Sequence, residues 1–109
     1  MKFIKVAAIT ELGPGEKRKI SWEDHQILLT NVGNSYYAID NKCPHMGGSL
    51  SEGNLDGTQI TCPRHGSVFD VTTGKVVQSG KLLFIKVHVH DLHSYPVKIE
   101  GTDILIGIE

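Results

Sequence analysis

The segments Cys43-Pro44-His45 and Cys62-Pro63-Arg64-His65 decide how this chain is interpreted. They hold both cysteines of the sequence and two of its six histidines, as C-x-H and then, 16 residues later, C-x2-H. Glycines follow both segments, at Gly47-Gly48 after one intervening residue and at Gly66 directly. Because glycine lets a backbone close around a bound group without a Cβ clash, the matched construction predicts one site to which two loops contribute.

Three other uses of these residues are open from the sequence alone. Two cysteines and two histidines also form a zinc set, although zinc sites generally pair like residues and each segment here mixes one of each. A disulfide between Cys43 and Cys62 would be unusual in a cytosolic protein and would leave the neighbouring histidines unexplained. A catalytic Cys–His pair is weaker still, because adjacency in sequence is not the geometry that such catalysis needs.

The longer stretches around the two segments carry a family resemblance. Cys43-Pro-His-Met-Gly-Gly and Cys62-Pro-Arg-His-Gly-Ser-Val-Phe-Asp resemble the two cluster-binding loops of Rieske proteins, and the resemblance is sharp over residues 43–70. It implies one Rieske-type 2Fe–2S cluster, in which Cys43 and Cys62 bind one iron and His45 and His65 bind the other.

The resemblance also implies a function. With two bridging sulfides and two protein ligands on each iron, neither iron has an open position, so the chain is expected to be an electron carrier and not an enzyme. It resembles the free Rieske ferredoxins that pass single electrons from a flavin-containing ferredoxin reductase to a terminal oxygenase, such as an aromatic-ring hydroxylating dioxygenase. The alternative is the small subunit of an assimilatory nitrite reductase, whose partner is the large subunit. A structural zinc-binding module is a remote alternative.

Comparison with the high-potential Rieske proteins suggests a low reduction potential. Gly48 and Arg64 stand where the proteins of respiratory bc complexes have a disulfide between the loops, so that brace is absent. Ser67 keeps a hydroxyl that donates to the cluster in those proteins, whereas Phe69 replaces a tyrosine hydroxyl. We therefore expect a potential toward the bottom of the Rieske range of about −150 to +300 mV.

Composition limits the other possibilities. The 109 residues carry a net charge of −1, which gives no reason to expect nucleic acid or an anionic membrane as a partner. No stretch approaches the ~18 apolar residues of a membrane span, and the N-terminal segment lacks the apolar run of a secretory signal. A cytoplasmic location is the expectation.

The hydrophobic pattern predicts an all-β fold. Apolar alternation and turn signals place short strands, with no helical periodicity anywhere; the predicted strands are 2–9, 17–22, 26–31, 36–39, 58–61, 68–71, 75–77, 95–99 and 103–108. The resemblance implies an antiparallel β-sandwich that is a single Rieske domain over residues 1–109. A small cluster-binding subdomain, approximately 41–80, would be inserted in the β base domain.

Residues 81–93 depart from the pattern of small Rieske ferredoxins. These usually have a proline-containing loop that covers one side of the cluster, but Gln78-Ser79-Gly80-Lys81 contains no proline. Leu82 to His90 is predicted to be a strand. Its histidines, together with His93, suggest either a second metal site or a solvated strand face, and the solvated face is the favoured interpretation.

Overall fold

The computed structural model describes residues 1–44, 47–64, 66–82, 85–86 and 89–109, with the backbone alone at 81–82 and 85–86. All regular structure in these residues is antiparallel β-strand, apart from two short 3-10 turns at Ile9–Glu11 and Leu50–Glu52. The strands are β1 (Lys2–Ala8), β2 (Lys17–Trp22), β3 (His25–Val32), β4 (Ser35–Asp40), β5 (Asn54–Asp56), β6 (Gln59–Thr61), β7 (Val68–Asp70), β8 (Val76–Gln78), β9 (Lys81–Leu82), β10 (Ile85–Lys86), β11 (Ser94–Tyr95), β12 (Val97–Glu100) and β13 (Asp103–Ile108).

Two sheets form the base of the molecule. One has the order β1-β13-β12 and the other β11-β4-β3-β2. Alternate residues of both sheets point between them, as expected where two sheets share a core. The buried residues of this core all lie on strands except Leu12, which follows the first 3-10 turn; they are Ile4, Ala7, Leu12, Ile20, Ile27, Leu29, Ala38, Ile104, Ile106 and Ile108.

β3 is buried on both of its faces. Ile27 and Leu29 point into the base core, while Leu28 between them points into a second core on the opposite side. The run of apolar residues from Ile27 to Leu29 therefore breaks the alternation of a half-exposed strand because both faces are covered. The second core includes both cysteines, and its buried members are Leu28, Ile39, Cys43, Leu50, Ile60, Cys62, Phe69, Val71 and Leu92.

A third sheet, in the order β5-β6-β7-β8, supports the second cysteine segment. Residues 62–67 connect β6 to β7, and residues 43–48 follow the end of β4. The two segments that carry the predicted ligands thus follow strands that belong to different sheets. They meet because Ile39 of β4 and Ile60 and Phe69 of β6 and β7 share the second core.

Near the C-terminus the structure corrects the predicted strand at 95–99. Tyr95 ends β11, which pairs with β4 in the second base sheet, whereas Val97 begins β12, which pairs with β13 in the first. Pro96 separates them, and proline has no N–H for a ladder. This segment therefore passes from one sheet to the other.

The predicted continuous strand from Leu82 to His90 is wrong. Lys81–Leu82 and Ile85–Lys86 are separate strands that pair antiparallel with each other, Leu82 opposite Ile85, so they are not parts of one continuous strand. Within the described part of this segment, Val89 packs against the second core and His90 is exposed. His88, one of the histidines considered for a second metal site, lies outside the described residues.

The predicted fold class is otherwise confirmed. The chain is all-β, with an antiparallel base of two packed sheets and a smaller sheet that carries one of the loops. The boundary of the predicted subdomain, approximately residues 41–80, stays a prediction. The second core itself draws Leu28 and Leu92 from outside those limits.

Candidate metal centre

Loop 1 (residues 43–48) and loop 2 (residues 62–67) are built on the same backbone pattern. In loop 1 the N–H of Cys43 donates to the carbonyl of Gly48 at 2.9 Å, and the N–H of Gly47 donates to the carbonyl of Cys43 at 3.1 Å. In loop 2 the N–H of Cys62 donates to Ser67 at 2.7 Å, and that of Gly66 donates to Cys62 at 3.2 Å. The offsets of five and four residues are identical, so each cysteine sits at the closed base of its own loop.

The glycine four residues after each cysteine is required by this pattern. Gly47 has φ +67° and Gly66 has φ +79°, in the left-handed region that glycine adopts without the steric cost of a Cβ. The sequence signal of a glycine after each segment therefore has a backbone cause.

The two cysteines face each other in the second core. Both are free thiols and buried, Cys43 at 0% and Cys62 at 1% exposure, which removes the disulfide alternative. Burial, then a hydrogen bond with the Cys62 side chain and the charge of Cys62, together raise the pKa of Cys43 to about 12, although a hydrogen bond with Ser67 acts in the opposite direction. In the metal-free chain Cys43 is therefore a neutral thiol, and a metal must displace its proton on binding.

Loop 1 and loop 2 are in close contact at Gly48. A Cβ added to Gly48 would lie 2.9 Å from the Sγ of Cys62 and 2.8 Å from the Cγ of Arg64. The missing side chain of Gly48 therefore allows loop 1 to lie directly against the cysteine of loop 2. Gly48 and Arg64 are also the two positions at which, according to the family resemblance, other Rieske proteins have the inter-loop disulfide that this chain lacks.

Ser67 contributes a buried hydroxyl to the same place. It is fully buried, its Oγ accepts a hydrogen bond from the N–H of Gly80 at 3.0 Å, and its hydroxyl lies at the Cys43 thiol, whose pKa it lowers. Because Gly80 occupies the acceptor side of the oxygen, the hydroxyl proton is available to a sulfur atom. The contact also ties the proline-free segment after β8 to loop 2.

The surroundings suit a centre that is buried on its cysteine side. Pro44 and Gly48 are buried with the cysteines, while Gly47, Pro63 and Arg64 are exposed, so the loops run from the core out to the surface. Two buried, unbridged thiols at matched loop bases are a donor set that fits the cysteine half of an iron–sulfur centre. Of the four predicted ligands, the structure brings Cys43 and Cys62 together; His45 and His65 lie outside the described residues.

Other sites are absent from the part of the chain that the structure describes. No group of three or more His, Cys, Asp or Glu side chains could hold a metal ion there, and His90 and His93 form no such cluster. Across the same residues, no helix combines the length and apolar character needed to traverse a bilayer.

Comparisons with known proteins agree with this fold and with the paired cysteine loops, and they place the chain in a class of iron–sulfur electron carriers. The Rieske [2Fe-2S] domain family matches residues 2–96. The biphenyl dioxygenase ferredoxin subunit of Pseudomonas sp. (strain KKS102) is 36% identical over 107 residues, which cover 97% of this chain and 92% of that protein.

Two solved structures extend the comparison to the fold. The ferredoxin of carbazole 1,9a-dioxygenase from Nocardioides aromaticivorans IC177 has a TM-score of 0.80 at 29% identity and covers 100% of both chains. A chain in a complex of reduced oxygenase and oxidized ferredoxin of carbazole 1,9a-dioxygenase has a TM-score of 0.79 at 30% identity, covering 95% of this chain and 91% of that one.

The chain belongs to the Rieske [2Fe-2S] domain family. Its cofactor is one Rieske-type 2Fe–2S cluster, and it is an electron carrier that does not itself catalyse a reaction. The predictions of family, cofactor and absence of an enzymatic activity of its own are confirmed, and the zinc module is set aside.

Proposed function

We propose that Cys43 and Cys62 bind the inner iron of the cluster and that His45 and His65 bind the outer iron. The observation that carries this assignment is the matched pair of loops, each with a buried thiol at its base. In the sequence, a histidine follows the cysteine of each loop by two or three residues. The unit that carries the centre, approximately residues 41–80, is part of the same proposal.

The partner proteins follow from the relatives. Two relatives indicate what the partners are. One is a ferredoxin subunit of a biphenyl dioxygenase, and the other is a ferredoxin in complex with an oxygenase. By analogy, this chain would accept single electrons from a flavin-containing reductase and deliver them to a terminal oxygenase such as an aromatic-ring hydroxylating dioxygenase. A cytoplasmic location belongs to the same proposal.

The residues of the chain fit this task. When bound, the cluster supplies one-electron transfer. Buried apolar neighbours of the cysteines, among them Leu50, Ile60 and Phe69 at 0% exposure, exclude water from the inner side. Exposed Pro63 and Arg64 leave the ends of the loops open to a partner, which outer-sphere transfer requires.

Electron paramagnetic resonance of the dithionite-reduced protein tests the ligand set, with iron and sulfide assayed on the same sample. We expect about two irons per chain and a rhombic signal of low average g, as mixed histidine–cysteine ligation gives. His45→Cys and His65→Cys should each move the signal toward that of an all-cysteine cluster and lower the potential. A silent spectrum with one zinc per chain would overturn the assignment.

A second experiment tests the partners. The reduced protein is mixed with a purified ring-hydroxylating oxygenase, and its re-oxidation is followed by visible absorbance. Saturable transfer at one electron per chain supports the proposal. Transfer to a nitrite reductase large subunit, with none to the oxygenase, would replace it by the alternative.

A further inference from the structure

Asn41 is a buried polar residue two positions before Cys43. Its exposure is 1%, and all of its polar groups are satisfied within the protein. Its N–H donates to the carbonyl of Gln26 at 2.9 Å, and its carbonyl accepts from the N–H of Leu50 at 2.9 Å. Its side-chain Nδ2 donates to Ser49 Oγ at 2.8 Å, and its Oδ1 accepts from the N–H of Ser51 at 2.9 Å.

Three of these four bonds close the base of loop 1, and the fourth attaches it to β3. Three of the partners, Ser49 to Ser51, follow directly after the loop, whereas Asn41 precedes it. Lys42 and Ser49 form an isolated antiparallel bridge at the same level. The fourth partner, Gln26, belongs to β3, so the closed base is also attached to the central sheet.

The position of the loop relative to its neighbour depends on this closure. Gly48 immediately precedes Ser49, and its Cα lies so close to loop 2 that an added Cβ would be 2.9 Å from Cys62 Sγ. A shift of Ser49 therefore changes the separation of Gly48 from the cysteine of the other loop. We propose that Asn41 is a positioning residue for the metal centre, which holds loop 1 in register with Cys62 through its bonds to Ser49, Leu50 and Ser51. This inference rests on the proposed ligand set.

Asn31 offers a matched control within the chain. It is also 1% exposed and also forms four hydrogen bonds. Its side chain donates to Leu12 O and accepts from the N–H of Asn34, each at 2.9 Å, and its backbone bonds Glu16 and Gly15 at 3.0 and 2.8 Å. None of these partners belongs to either loop, and Asn31 lies five residues beyond Gln26 on β3, on the order of 16 Å away.

The experiment compares wild type, Asn41→Ala and Asn31→Ala, each loaded with iron and sulfide. Both substitutions leave two side-chain hydrogen-bond partners unpaired, so both should lower the free energy of unfolding to a similar degree. With excess dithionite present to reduce the iron, only Asn41→Ala should accelerate the release of iron to a ferrous chelator, by about tenfold, which is within the range for one unpaired polar group. It should also shift the midpoint potential and broaden the resonance signal.

Rescue by a conservative variant separates positioning from stability. Asn41→Asp keeps the acceptor for the N–H of Ser51, and its second oxygen, protonated at this buried position, donates to Ser49 Oγ in place of the amide. We expect near wild-type iron retention and line shape for it. If Asn41→Ala fails to fold, Ser49→Ala takes its place. It leaves Asn41 unchanged, removes the hydrogen bond from the Asn41 side chain to the Ser49 hydroxyl, and should give the same faster release of iron.

Two results would overturn the inference. One is equal iron release and equal potential in the two alanine variants; the other is an Asn41→Asp variant as impaired as Asn41→Ala. Absence of the rhombic signal from the wild type is a different result, because it contradicts the proposed ligand set itself.

Discussion

Replacing Gly48 by alanine tests the close contact between the two loops. Gly48 is not in the left-handed region, so the substitution brings no backbone strain; its whole effect is steric. The new methyl group would lie 2.8 Å from Arg64 Cγ and 2.9 Å from Cys62 Sγ. Arg64 is exposed and can move aside, but Cys62 is buried and cannot. We expect the substitution to lower the free energy of unfolding by about 1–3 kcal/mol, as overpacking of a well-packed site does.

The destabilisation is centred at the proposed metal site, so the iron content of the protein is the property to measure. Because the methyl group presses on a proposed iron ligand, the loaded protein should lose iron during purification, measured as iron per chain and as the intensity of the visible absorbance. Chemical denaturation of the same samples gives the free energy of unfolding. Adding Arg64→Ala removes one of the two contacts and should recover part of the lost stability. In a double-mutant cycle, this recovery should appear as an interaction free energy of about 0.5–3 kcal/mol.

Gly101→Ala is the control for general destabilisation. Gly101 has φ +62° with no heavy atom within 4 Å of an added Cβ, so alanine there costs about 1–2 kcal/mol of left-handed strain and should leave the iron content unchanged. If Gly48→Ala keeps full iron and wild-type stability, the loops are not in the contact described here and the reasoning fails.

Two further predictions concern single hydroxyl groups. The Tyr95 hydroxyl donates to Asp40 Oδ1 at 2.6 Å, and burial, followed by that bond and the Asp40 charge, raises the pKa of Tyr95 well above its usual value near 10. The stability that Tyr95 contributes is therefore complete below about pH 10 and is lost as the pH rises further. The difference in the free energy of unfolding between wild type and Tyr95→Phe should be constant up to that pH and shrink beyond it. A difference that grows with pH would refute this prediction. Ser67→Ala removes the hydroxyl at the Cys43 thiol and should lower the midpoint potential by roughly 60 mV, equivalent to about 1.4 kcal/mol for one electron, from a wild-type value in the lower part of the Rieske range. Thr30→Ala, which removes another fully buried hydroxyl from the base sheet, should leave the potential in place in the same potentiometric titration.

Strong local signals made most of the strands predictable. Alternation from Lys2 to Ala8 and from Asp103 to Ile108, and the two-residue turn at Gly33-Asn34, specify pairing that the structure confirms. β5 was missed because Asn54 and Asp56 are poor strand formers, and only pairing with β6 makes the segment extended.

The site was predictable where residue type decides the chemistry. Cysteine, histidine and glycine at fixed offsets are read directly from the sequence. Asn41 carries no such signal, because an asparagine before a loop is ordinarily a turn residue. Its importance depends on burial and on partners at Ser49 and Ser51, which only the folded chain brings together. The contact of Gly48 with Cys62 is likewise a product of tertiary packing.

The double burial of β3 has a consequence for how the pairing of this strand is fixed. A strand with one polar face resists a shift by one residue, since the shift would expose its apolar side chains. Ile27, Leu28 and Leu29 offer no such resistance, because each would exchange one apolar core for the other. The alignment must come from the end of the strand, where Gly33 and Asn34, with φ of +58° and +71°, form a tight two-residue hairpin, and where buried Asn31 bonds Leu12 and Asn34. A turn at the far end of the strand from Gln26 thus selects which leucine lies beside the cysteines.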